Sequence, residues 1–228
     1  MNFIISCEHG GKNIPKKYFS LFKNKKRILN SHRGWDIGAL VLAKKVSKDL
    51  LCPLYFSETS RLLIDLNRSL HHPNLFSEFN KSYDKTTRQE IINKIYIPYR
   101  EKIENHIKNA HNHSPVIHLS IHSFTPVLNN VIRHADIGLL YDPARKSEKE
   151  FCNKLRVTLR NYFPDLVIRS NYPYKGSADG FTTYLRKQFN ERKYSGIEIE
   201  INQKHIIKND RTWLMIKNAL GKSLINNF

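Results

Sequence analysis

The chain has 228 residues, enough for one well-packed core and too few for two full domains. Hydrophobic residues make up 40%, which excludes wholesale disorder, and no apolar run nears the ~20 residues that span a bilayer. The formal net charge of +18 attracts polyanions, but the lysines are scattered. No stacking platform or groove-reading motif accompanies them, so specific nucleic-acid binding is not expected.

No basic segment followed by an apolar stretch and a cleavage site opens the sequence, so no secretory signal is read and a cytoplasmic location is expected. Cys7, Cys52 and Cys152 are odd in number and widely spaced, which argues against a disulfide scaffold or a cysteine zinc site. "NFIISC" predicts the first strand, and "CEHGG" closes it. "DIGALVLAKKVSKDLL" carries Ile37, Leu40, Val41, Val46 and Leu50 at helical spacing, with Asp36 suited to the N-cap. "CPLYFS" and "LLIDL" read as strand pieces. The polar stretch from Ser69 to Lys85 lacks periodicity and reads as a long loop, a kind of segment that often forms functional lids. "TTRQEIINKIYIPYREKIENHIKNA" predicts a long helix, kinked or broken before Pro98. "PVIHLSIHSF" and "ADIGLLYD" predict buried strands, and "SEKEFCNKLRVTLRNYF" a helix that stops at Pro164. "LVIRS" reads as a strand, "SADGFTTYLRKQFNERK" as a helix opened by Ser-Ala-Asp, "SGIEIEIN" as the last strand, and "DRTWLMIKNALGKSLIN" as the closing helix. Strands alternating with helices predict a single α/β layered domain over residues 1–228 with a mostly parallel sheet.

In open parallel sheets, ligands sit beyond the carboxyl ends of the strands. The residues there are Glu8 and His9, Asn67 and Arg68, His122 and Ser123, Asp142, and Glu200. Alternation along "HLSIHS" puts His118, Ser120 and His122 on one face. His118 reads as a buried histidine satisfied by hydrogen bonds, and His122, at the strand end, as a ligand. His9 is a metal ligand or an exposed side chain at a turn, with glycines that would let a ligand approach the backbone. A nucleophilic Cys7 with His9 as its base lacks an evident orienting partner. Asp36, in "HRGWDIGA", is either a helix N-cap or a carboxylate ligand, and His32 stands ready as a supporting or substrate-facing group. "SRLLIDLNRS" offers Arg61, Asn67 and Arg68 as forks for a substrate carboxylate, with Asp65 holding an arginine. Arg133, Arg169, Tyr172 and Tyr174 sit in motif-like loops. Glu198 and Glu200 share one face of an otherwise apolar strand, where a carboxylate is costly unless paired or catalytic.

Together "CEHGG-x-x-IP", "HRGWDIGA", "SRLLIDLNRS", "HLSIHSFTP", "DIGLLYDP", "NYPYKGSADG" and "GIEIEINQ" resemble the N-formylglutamate amidohydrolase family, from about Cys7 to Gln203. That family resembles in turn the zinc carboxypeptidase and aspartoacylase group. The resemblance implies a three-layer domain with a mixed sheet and one zinc ion, or another divalent metal, at the strand ends. It implies His9 and His122 as ligands, Glu200 as general base, and Arg61, Asn67 and Arg68 as the group that binds the carboxylate of a small anionic N-acyl amino acid or polarises its carbonyl, with Arg61 as the catalytic member. The wider group carries H-x-x-E, whereas this chain has Lys12 at that position, and an ammonium cannot ligate. Asp36 is the expected carboxylate ligand and Glu8 the alternative; His32, Arg133 and Tyr174 complete the substrate-binding set. Two other readings stand beside this one: a zinc hydrolase of a small peptide or peptidoglycan amide, and a non-catalytic basic binding protein.

Overall fold

The computed structural model describes residues 2–80, 82–110 and 115–226. The elements in chain order are β1 (Asn2–Cys7), α1 (Lys26–Leu29), α2 (Ala39–Leu50), β2 (Leu54–Phe56), α3 (Lys85–Ile91), α4 (Ile97–Asn109), β3 (Val116–Phe124), β4 (Val127–Leu128), β5 (Val131–Ile132), β6 (Ile137–Leu140), α5 (Lys146–Tyr162), β7 (Ile168–Ser170), α6 (Phe181–Gln188), β8 (Tyr194–Asn202), α7 (Gln203–Lys208) and α8 (Arg211–Ile225). A six-stranded sheet in the order β2-β1-β3-β8-β6-β7 forms the middle layer. The first four strands of that order run parallel; β6 lies antiparallel to β8, and β7 parallel to β6. This is the mostly parallel α/β sheet expected from the alternation of elements, with the mixed character that the family resemblance implied.

Strand periodicity separates the two faces. On one, Ile5, Leu119, Ile121, Ile197 and Ile199 pack with Leu42 and Val46 of α2, Leu155 of α5 and Leu220 of α8. On the other, Ile4, Val116 and Tyr194 pack with Ile103 and Ile107 of α4 and with Phe181 and Leu185 of α6. The second face also carries a polar stripe, because the register sets Ser6 beside Ser120, Ser120 beside Glu198, and His122 beside Glu200. Ser6, Ser120, His122 and Glu198 are tolerated there because they are hydrogen-bonded; Glu200 is the exception. His118, for example, is held by Tyr194 Oη at 2.9 Å and Ser6 Oγ at 2.6 Å, the satisfied core histidine expected of it.

Several local expectations are corrected. "LLIDL" is not a strand: Leu62, Leu63, Ile64 and Leu66 are buried in turns. Both neighbours of β1 are already taken by β2 and β3, and the amide of Asn80 donates to the carbonyls of Leu62 (2.8 Å) and Leu63 (2.7 Å), so the apolar run needs no sheet partner. Asp142 does not share an edge with the other strand-end residues, since β6 runs against β8 and delivers it to the opposite end. Asp36 is not the N-cap of α2; Gly38, at φ +80°, occupies that place and the helix begins at Ala39. The helix opened by Ser-Ala-Asp starts instead at Phe181 after Gly180. The long helix does change character before Pro98: a π-turn over Ile92–Tyr96 joins α3 to α4, and absorbs the missing proline donor. Among the described residues no helix is long and apolar enough to cross a membrane.

Candidate metal centre

His9 lies two residues beyond the end of β1, in a turn made possible by close backbone approach. A Cβ on Gly11 would stand 2.5 Å from the Cα of Glu58, so only glycine fits. The room expected for a ligand at the glycines is thus filled by the protein's own segment 57–59, which is tied on by Ser57 N–H to the Cys7 carbonyl (3.1 Å) and Asn13 N–H to the Glu58 carbonyl (2.8 Å). Asp36 is pinned to the same turn, its N–H donating to the His9 carbonyl at 2.9 Å. His122 arrives from the carboxyl end of β3, and Glu200 from the register position beside it on β8.

These segments converge on one atom. Asp36 Oδ2 lies 2.8 Å from His122 Nδ1 and 3.4 Å from His9 Nδ1. One potential ligand atom from each of His9, Asp36 and His122 lies within 4.8 Å of the others, and all three side chains are buried. The outward ring nitrogens are anchored. His9 Nε2 meets Asp65 Oδ1 at 2.7 Å; His122 Nε2 meets Ser120 Oγ at 2.8 Å and Glu8 Oε2 at 3.2 Å. Ser120 and Tyr99 both donate to Glu8, at 2.6 and 3.0 Å. Arg61 bridges the two aspartates, with Nη2 2.8 Å from Asp65 and Nη1 3.3 Å from Asp36.

The donor set fits a divalent cation. Two imidazoles that point Nδ1 at one carboxylate oxygen need either protons or a cation between them, since lone pairs would otherwise face lone pairs. With protons alone, burial opposes charging but the surrounding carboxylates prevail and raise both His9 and His122 above the ordinary histidine range. Histidine ligands whose far nitrogens rest on carboxylates or hydroxyls are the usual support of a metal site, because the outer bond fixes ring orientation and tautomer. Asp65 plays that part for His9, and the Glu8–Ser120 pair for His122. Glu8 is accordingly saturated by Tyr99, Ser120 and His122, which leaves Asp36 as the carboxylate with an oxygen between the two rings.

Glu200 is the other unusual group. It is 5% exposed, its Oε2 has no hydrogen-bond partner, and burial pushes its carboxyl up to about 8. A buried orphan oxygen beside His122 calls for a water, a substrate atom or a proton.

Of the centre, Asp36 lines a cleft of about 1410 Å3, together with His32, Arg61, Asp65, Arg68 and Tyr174; His9, His122 and Glu200 are not among its lining. Burial and the neighbouring arginines lower the His32 pKa. Arg133 reaches the rim by donating to Tyr174 Oη at 3.1 Å, while Arg169 stacks over Tyr172. Asn67 is drawn into the scaffold: its Oδ1 accepts the Phe181 N–H at 2.7 Å and so caps α6. Arg68 keeps its place on the cleft, its carbonyl clamped by Tyr96 Oη (2.7 Å) and Arg100 Nη1 (2.9 Å). Replacing Asn67 by Ala is expected to lower stability by about 1 kcal/mol, the ordinary value of a lost helix cap, while metal content stays unchanged; denaturant unfolding and elemental analysis check both.

Sequence reasoning did not find the support roles of Glu8 and Ser120 toward His122, although alternation had already set Ser120 on the face of His122. Tyr99 carries no local signal at all, since it is brought in from α4 across ninety-one positions of sequence.

A family model described as "FGase: N-formylglutamate amidohydrolase" matches residues 1–207. The chain is similar in structure to gene product Atu2144 from Agrobacterium tumefaciens, at TM-score 0.81 and 25% identity, covering 99% of this chain and 91% of that one. A bacteriophage poly-gamma-glutamate hydrolase gives TM-score 0.43 at 11% identity, over 99% of this chain and 84% of that one. No curated protein matches.

Proposed function

The chain belongs to the N-formylglutamate amidohydrolase family and is a hydrolase of amide bonds; from that premise we propose that it cleaves the amide of an N-acyl amino acid of the N-formylglutamate type, using one divalent metal ion. The observation that carries the reading is the convergence of His9, Asp36 and His122 on one point, with the unpartnered Glu200 Oε2 in the same buried centre. The three side chains would hold zinc, or a cation of like preference, leaving a position open; such an ion polarises a carbonyl and acidifies water.

The chain's own groups then divide the work. Glu200 Oε2 accepts a proton from the attacking water and returns it to the leaving nitrogen. One C–O bond forms, one C–N bond breaks, and the products are a carboxylate (formate, for a formyl substrate) and a free amine. With no cation bound, burial pushes this carboxyl up to about 8; a cation at the centre would favour the carboxylate form, which can take the proton and hand it to the departing nitrogen. Arg61, fixed between Asp36 and Asp65 and facing the cleft, stabilises charge developing on the carbonyl oxygen. Arg68, His32 and the Arg133–Tyr174 pair offer donors for the substrate's carboxylates.

Metal-loaded protein assayed against N-formyl and N-acetyl derivatives of Glu, Asp, Gln and Leu tests the assignment. Turnover highest with N-formylglutamate is expected; no release of amine from any member overturns it.

A further inference from the structure

The cleft is larger than a single acyl amino acid needs, and its lining carries cations beyond those that hold the centre. At about 1410 Å3 it exceeds the roughly 300–1,000 Å3 of pockets that hold drug-sized ligands, and N-formylglutamate is smaller than those ligands. Its lining also takes in Arg68, residues of the loop after it, and Lys85 and Arg88 on α3. Of the carboxylates lining it, Asp36 and Asp65 are engaged by Arg61, and Glu78 by Arg33 at 2.5 Å. Lys85, exposed, and Arg68, whose guanidinium reaches only the Asp179 carbonyl at 3.2 Å, make no ion pair among the described residues. Apolar side chains are interspersed with these cations in the lining, among them Leu70, Leu75, Phe76, Val127 and Leu128. A groove lined by unpaired cations and apolar side chains suits a chain that carries carboxylates on short methylene stems.

We propose that the substrate is an acidic peptide, N-formylated at its amino end, that extends from the centre along this groove, rather than a free acyl amino acid. The inference rests on the amidohydrolase reading above and names its substrate class. A formyl group has nothing to extend, so the added length lies on the amine side of the scissile bond, and the carboxylates beyond the first residue meet Arg68 and Lys85. The amide chemistry of the centre favours a peptide over a nucleic acid of equal charge.

The test uses full-length, metal-loaded protein and the series N-formyl-(Glu)n with n from one to five, beside the neutral series N-formyl-(Gln)n. We expect kcat/KM to rise about tenfold between one and four glutamates, the scale of one added ion pair, with no such rise for glutamine. Added salt should flatten the rise. In parallel, binding of fluorescein-labelled (Glu)5 to the Glu200→Gln protein is read by anisotropy: tight, length-dependent binding is expected, weakened severalfold by Lys85→Glu, a change at an exposed position. A flat or falling profile, with N-formylglutamate itself turned over, overturns the peptide proposal and leaves the enzyme reading in place. Equal competition by an oligothymidylate of the same charge also overturns it, as non-specific polyanion attraction. Failure to hydrolyse any member, with folded and metal-loaded protein, overturns the enzyme reading and this proposal with it.

Discussion

The change Glu200→Gln is expected to lower kcat by about a thousandfold, within the range typical of removing a positioned general base, with little change in KM. Glutamine keeps the shape and loses the proton acceptor. The same change is expected to stabilise the metal-free protein, and to do so more as pH rises. Burial raises the folded-state pKa of Glu200 to about 8, so the native chain retains a proton that the unfolded chain sheds near the ordinary glutamate value of about 4.3. An acid shifted upward binds more protons when folded, so stability falls as pH rises from about 4 to about 8 and the penalty is complete above that. Glutamine carries no such penalty. The difference in Tm between variant and wild type, measured without metal from pH 5 to 9, should grow in favour of the variant. A constant difference would mean that Glu200 is not held neutral by its surroundings.

Arg61→Ala is expected to cost roughly 2–4 kcal/mol of stability, because it removes the shared cationic partner of two carboxylates that the fold has taken out of water. The side chains of Asp36 and Asp65 are 4% and 7% exposed, and Arg61 contacts both. Their pKa values are held below the ordinary aspartate range: burial opposes this, but His9 and His122 on Asp36, and Arg61 and His9 on Asp65, outweigh it. With Arg61 gone, part of that support is lost, and the stability the two carboxylates contribute should fail at a higher pH on acidification than in the wild type. Activity should fall as well, through kcat more than KM, if the guanidinium acts on charge that develops only in the transition state. Arg61→Lys should recover part of the stability and little of the activity, since a point charge cannot span both aspartates as a planar fork does. A variant as stable as wild type would contradict the bridging role.

The parts of this centre that rest on strand periodicity were legible in the sequence. His118, Ser120 and His122 share a face, as do Glu198 and Glu200, because a period of two needs no tertiary information. The segment after β1, with His9 before two glycines, was legible for the same reason: it follows an unambiguous apolar strand. Asp36 could be read as cap or ligand, and no local rule decides between them; the left-handed Gly38 takes over the start of α2 and frees the carboxylate. Asn67 looked like a substrate group but caps α6, over a hundred residues later in the chain. Asp142 was misplaced because the direction of β6 is a property of the sheet and not of the strand. The run "LLIDL" misled for a related reason, since a buried apolar stretch looks alike in a strand and in a turn whose carbonyls a side chain satisfies. The Tyr99–Glu8 contact depends on how α4 lies across the sheet, which no spacing along the chain encodes.

The central claim is that His9, Asp36 and His122 form a metal centre in which Asp36 supplies the carboxylate. Elemental analysis of protein purified with zinc and dialysed against buffer tests it most directly. The wild type should retain about one divalent ion per chain, and folded Asp36→Ala about none, with Glu8→Gln holding its metal more weakly through loss of support to His122. Metal content unchanged in Asp36→Ala, or absent from the wild type, would contradict it.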